Sequence, residues 1–259
     1  MAAPGVVGRE RELAEIDGFL EALPAGFAAL ALEGEAGIGK TTLWREALLR
    51  ASRGGALVLA CRSALAEAKL SFAALADLLS EVDESAFAAL PAPQREALEV
   101  ALLRISPTRR AAARPVAAGF LGLIRGLATV RPVVVAVDDW QWLDRPTREA
   151  LEFAARRLDS ERVGLVCSVR APLAGALIGG AVTDERLRRV AVGPLSLAGL
   201  GRILSGRLGR PLSRPLLVRI ATSTGATRFT RSRSRACSAG SAEGAPPRRC
   251  CRCRTIFAS

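Results

Sequence analysis

Two periodicities of apolar residues run along the chain, and the local period decides which element each stretch predicts. In VGRERELAEIDGFLEAL, residues 7–23, Leu13, Ile16, Leu20 and Leu23 recur at helical spacing and predict an amphipathic helix. FAALALE (27–33) is a short apolar run that stops at a glycine loop, as a strand buried on both faces does. A helix over TTLWREALLRAS (41–52) follows, then a strand at ALVLAC (56–61), a helix around FAALADLLSEV (72–82) and two helical segments between about 94 and 130. PVVVAVDD (132–139) is the strongest strand pattern, valine-rich and entered by a proline. Next come a helix over TREALEFAARRL (147–158), a strand at RVGLVCSVR (162–170) and a short strand at RLRRVAVG (186–193). Strands alternating with helices predict an α/β fold, a parallel sheet covered by helices on both faces. After GPLS the period turns helical again, with Leu197, Leu200, Ile203 and Leu204 on one stripe and Leu216, Leu217 and Ile220 on another. This divides the chain into an α/β domain over 1–194, the start of a helical subdomain over 195–225, and a tail over 226–259.

Composition changes the picture only at the tail. The 259 residues are half apolar, enough for a sizeable core. Arg125 and Arg131 interrupt the best membrane candidate near 116–137, and MAAPGVVGRERE has no apolar signal region, so a cytoplasmic protein without a membrane partner is expected. The formal charge is +12, yet residues 226–259 hold eight arginines against the single acid Glu243. Four of the six cysteines, Cys237, Cys250, Cys251 and Cys253, lie there too, which leaves Cys61 and Cys167 in the body. The tail therefore reads as disordered and basic.

The chemistry is in GEAGIGKTT, residues 34–42, which has Gly34, Gly39, Lys40 and Thr41 where a phosphate-binding P-loop needs them, after a strand and before a helix. Glycines let successive N–H groups of Glu35, Ala36, Gly37, Ile38 and Gly39 face a polyphosphate, and the helix beginning at Lys40, Thr41 and Thr42 adds its positive end. Lys40 is expected on the β and γ phosphates of ATP, and the Thr41 hydroxyl on Mg2+. The alternative, a glycine turn with a chance lysine, is weak because the only other lysine is Lys69. Asp138, closing VVVAVD, is the second expected metal-holding group, and Asp139 is placed to orient or deprotonate the attacking water. Arg170 ends a predicted strand at the sheet edge where ligands bind, so it is either a γ-phosphate contact or a surface arginine. Arg9 and Glu10, at a helix start, read as capping, solvated charges.

Taken together, VVGRERELAEI, LEGEAGIGKTTLWREAL, VDDWQWLDRPTREALEFAARRL, VCSVR and VGPLS resemble the ATPase region of large bacterial LuxR-type transcriptional regulators, members of the STAND group of AAA-like P-loop ATPases, over residues 6–225. The resemblance implies a slow ATP-driven switch with Arg170 as a phosphate sensor and Val7 and Gly8 near the adenine. ATP and ADP are then the ligands, and homo-oligomerisation is open. In that family a helical repeat region and a helix-turn-helix follow; this chain has room for neither, so DNA binding by that route is not expected of it. Where the family has SGGNPF and a helix, the chain has STGATRFTRSRSRAC. A base lost from a pair of glycine codons near 225 and 226 turns an Ala-Leu helix into alternating Arg and Ser, so a truncated, frame-shifted product is expected. Three other readings stand beside this one. A nucleic-acid-binding tail has only Phe229 and Phe257 for stacking. A metal or redox site at Cys250, Cys251 and Cys253 lacks a paired C-x2-C and any histidine. A P-loop kinase differs from the switch in needing an acceptor.

Overall fold

The computed structural model describes residues 6–105, 113–170 and 180–223. The arginines and cysteines of the tail, its expected disorder and the frame change near 225 all lie outside the described residues.

Helix α1 (Glu10–Ala22) precedes strand β1 (Ala28–Gly34), and the loop after β1 leads into α2 (Lys40–Arg53). Strand β2 (Leu57–Arg62) is followed by α3 (Ala73–Leu79), α4 (Glu84–Ala88), α5 (Ala92–Ala101) and α6 (Ala113–Val130). Then come β3 (Val133–Asp138), α7 (Arg145–Ala155), β4 (Val163–Arg170), β5 (Leu187–Ala191), α8 (Leu197–Leu208) and α9 (Arg214–Ser223). All five strands are parallel, in the order β2-β3-β4-β1-β5. The expected α/β architecture is therefore present, flanked by helices. Only α4, a single turn capped by Asp83, has no counterpart in the apolar periodicity.

Strand alternation sends the side chains of the sheet to two opposite faces, each of which carries a core. Val133, Val135 and Val137 of β3 pack with Leu59, Cys61, Leu165 and Cys167 under α3–α7. Val134 and Ala136 face the other way, with Leu30, Leu32 and Val166, against Ile16 and Phe19 of α1 and Leu43 and Trp44 of α2. Asp138 continues the α2-facing set, and so do Ser168 and Arg170 on β4 and Arg62 on β2. The period of two thus gathers these polar ends at the carboxyl edge on the side of α2. Helix α6 has the length and composition of a membrane span, but eight of its residues, among them Phe120 and Ile124, are buried between the sheet and its helical neighbours.

The stripes on α8 and α9 are only partly covered. Leu197, Leu200, Ile203 and Leu204 are half-buried, while Leu208, Leu216 and Val218 are exposed.

Candidate functional site

The site starts at the junction of β1 and α2. β1 ends at Gly34, and the loop reaches the cap of α2 at Gly39, whose φ of 108° favours glycine. Lys40 bends back over its own loop, its Nζ donating to Gly34 O at 3.0 Å and Glu35 O at 2.8 Å. Burial holds its ammonium below the usual lysine range; nearby Asp139 works against this and Arg170 with it. Lys40, Thr41, Ala36, Gly37, Asp139 and Arg170 line one cleft. Thr42 turns to the neighbouring groove.

β4 lies between β1 and β3, so its last residues separate the loop from Asp138. Asp138 is 1% exposed. Its Oδ1 accepts from the Thr41 hydroxyl at 3.2 Å and from the Ser168 hydroxyl at 2.5 Å. Ser168 Oγ in turn accepts the Asp139 N–H at 2.8 Å, so one buried hydroxyl fixes both acids. Asp139 itself has a φ of 59°, a left-handed conformation uncommon for a side-chain-bearing residue, which sends its carboxylate away from the strand direction and into the cleft. Gln141 bridges the last two members: its Nε2 donates to Asp139 Oδ1 at 2.7 Å, and its Oε1 accepts the Arg170 N–H at 3.3 Å. The Arg170 guanidinium is exposed, 5.7 Å from the centre of the Trp142 ring.

Two observations bear on a divalent cation. Asp138 Oδ2 is sealed from water and accepts no hydrogen bond from a described residue; the exposed Arg62 is in ion-pair range of it at 3.4 Å, so the oxygen is set for a cation but not held by a hydrogen bond. The donors at hand, a hydroxyl and a carboxylate, are hard oxygens that suit Mg2+. Among the described residues no cluster of three or more His, Cys, Asp or Glu could hold a metal alone, so the remaining ligands would be phosphates and water, the usual arrangement for that ion. The two body cysteines take no part, since burial pushes the thiols of Cys61 and Cys167 up to about 12.

A second groove is built from the N-terminal segment. Val7 lines a groove of about 450 Å³ between the P-loop, α2 and α8, together with Ile38, Leu43, Leu195 and Ile203. Gly8 has a φ of 75°, and a Cβ on it would stand 2.9 Å from Gly199 Cα, so the segment touches α8 backbone to backbone. Glu10 is exposed and pairs with Arg202 of α8 at 2.8 Å.

Arg9 corrects the sequence reading. It is 5% exposed, not a solvated cap. Its guanidinium donates to Ile38 O of the P-loop at 2.8 Å, to Gly193 O before α8 at 2.6 Å and to Glu12 at 2.7 Å. Arg9→Met would strand two carbonyls and a half-buried carboxylate, and is expected to destabilise the protein by roughly 2–4 kcal/mol, read as a lower melting temperature. A melting temperature equal to wild type would show that the contacts are dispensable.

Residues 5–167 match the AAA ATPase domain family. No curated protein matches the chain. Among solved structures, the chain is similar to the Aeropyrum pernix ORC1 protein in complex with DNA at 19% identity and a TM-score of 0.52, covering 85% of this chain and 56% of that one. A STAND protein with a tetratricopeptide repeat sensor from Pyrococcus horikoshii follows at 14% identity, 85% and 28% coverage and a TM-score of 0.48. AMPPCP-bound DnaA from Aquifex aeolicus stands at 15% identity, 84% and 57% coverage and a TM-score of 0.46. The chain spans little more than half of the longest-covered of these structures, and the likeness is one of fold.

Proposed function

Because the chain belongs to the AAA ATPase domain family, we propose that it binds Mg-ATP and hydrolyses it slowly, as the nucleotide switch of a STAND-type, LuxR-like transcriptional regulator. One observation carries this reading: the Thr41 hydroxyl donates to Asp138 at 3.2 Å across 97 residues of sequence, joining the phosphate loop to the buried acid of β3. The finer assignment to LuxR-type regulators is supported by the motif set VVGRERE, GEAGIGKTT, VDDWQWLD, VCSVR and VGPLS.

The residues divide the work as follows. Lys40 exchanges two backbone carbonyls for phosphate oxygens, which bear more negative charge. Thr41 and Asp138 would hold Mg2+, which when bound spreads the charge of the β and γ phosphates. Asp139, aimed into the cleft and steadied by Ser168 and Gln141, accepts a proton from a water on the γ-phosphate side or orients that water. Arg170, at the far wall of the same cleft, distinguishes ATP from ADP by the charge it meets. Val7 and Gly8 flank the base, and through Arg9 the P-loop and the approach to α8 share one guanidinium. Nucleotide state is thereby passed to the helical subdomain. DNA contact belongs to an output domain of such a regulator and not to residues 6–223.

A fluorescent ATP analogue is expected to bind saturably, and removing Mg2+ with EDTA to weaken that binding about tenfold. Absence of saturable binding to the folded protein would sink the proposal.

A further inference from the structure

Arg62, Asp138 and Ser168 form one row across the carboxyl edge of the sheet. Arg62 and Asp138 are register partners at the ends of β2 and β3. Ala136 pairs with Val166, so two residues on, Ser168 falls beside Asp138 on the same face. The two hydroxyls of Thr41 and Ser168 occupy Oδ1 of Asp138. Oδ2 accepts no hydrogen bond from a described residue, and the cation in ion-pair range of it is Arg62, whose Nε stands 3.4 Å away. The pair is lopsided: the Asp138 side chain is 1% exposed and that of Arg62 61%.

A carboxylate this deeply buried requires a counter-charge. Of the two groups, only Arg62 can leave for water at little cost. We propose that Arg62 is a placeholder counter-ion for Asp138, which it yields to Mg2+ when nucleotide arrives. A single carboxylate cannot neutralise both cations, and like charges held this close repel. The exchange is confined to the side chain, because the Ser63 N–H still donates to Asp138 O at 3.1 Å and keeps β2 in register. Arg62 thus sets how much Mg2+ the switch needs, and keeps the acid compensated in the metal-free protein. This inference rests on the Mg-ATP reading above.

The test titrates Mg2+ into the whole protein with a fluorescent ATP analogue held constant, and separately measures the analogue's affinity in EDTA. In R62Q the Mg2+ concentration for half-saturation falls about two- to fivefold, the size expected of an ion pair with one partner in water. Affinity in EDTA is unchanged, and R62Q has no effect in a D138N background. The melting temperature of R62Q is lowered without metal, and the deficit closes with Mg2+ and nucleotide. An unchanged Mg2+ requirement overturns the assignment. So does weaker binding in EDTA, which would make Arg62 a phosphate contact, or a melting deficit that persists with ligand, which would make it merely structural. Failure of the wild-type protein to bind the analogue would instead remove the Mg-ATP reading itself, so the two failures are distinct.

Discussion

Lys40→Ala is expected to lower affinity for a fluorescent ATP analogue by roughly 100-fold, about 3 kcal/mol, while the protein stays folded. The size follows from what the ammonium does without ligand and with it. It donates to two main-chain carbonyls of its own loop, Gly34 O and Glu35 O, neutral acceptors that take two of its three protons and leave its charge only to the less direct influence of Asp139 and Asp138. Burial and the neighbouring Arg170 both work against that charge, so a polyphosphate entering between the two cations relieves a conflict already present. Truncation removes the attraction and leaves the repulsion of the remaining groups untouched. Folding is expected to suffer less, because the bond to Glu35 O is only partly buried and water can take it over, which leaves Gly34 O as the one carbonyl freed in a buried setting. Titration of the analogue, with circular dichroism as the control for folding, checks the expectation. Equal dissociation constants for a folded K40A and the wild type would remove Lys40 from the phosphate site.

The second large effect concerns stability. Asp144 is buried behind the site, where its carboxylate accepts three backbone N–H groups: Phe72 at 2.9 Å, Thr147 at 3.0 Å and Ala74 at 3.2 Å. It caps α7 and at the same time anchors the approach to α3, where Phe72 takes a left-handed φ of 62°. The neighbouring Thr147 hydroxyl accepts a fourth, from Leu75 at 3.2 Å. Asp144→Ala leaves three buried donors without acceptors, and the strained turn at Phe72 loses the bond that sustains it. A loss of about 3–5 kcal/mol is expected, a large share of the stability of an ordinary domain. For a chain of this size that is a melting temperature lower by about 10 °C or more. Asp144→Asn, which keeps an acceptor, should fall between the two. A melting temperature for D144A within a degree or so of wild type would show that water replaces the carboxylate.

What could be read from the sequence, and what could not, divides along chain distance. The phosphate loop is local, nine consecutive residues between a strand and a helix, and its role follows from that spacing. Asp138 and Asp139 were recognisable because an apolar run of strand length ends on them. Arg9 was not recognisable, because its two carbonyl partners lie 29 and 184 residues away and a charge at a helix start is ordinarily solvated. Ser168 reads as one polar residue inside an apolar run; only the strand order, with β4 between β1 and β3, puts its hydroxyl against Asp138. Arg62 and Gln141 likewise acquire meaning through register and the turn after β3. The parallel sheet itself was legible because its strands are apolar on both faces. The single turn of α4 was not, being too short to show a period.

The close passage of Gly8 against Gly199 has a mechanical consequence. These residues stand near the start and the end of the described ATPase fold, yet a Cβ on either would lie within 3.3 Å of the other's Cα. Tension drawn between the N-terminal segment and α8 therefore falls first on this seam and on the two carbonyl bonds of Arg9. Strand β1, in the interior of the sheet, is shielded until the seam has parted. A pull between the N-terminal segment and α8 would therefore load the groove beside the P-loop before it reached the sheet.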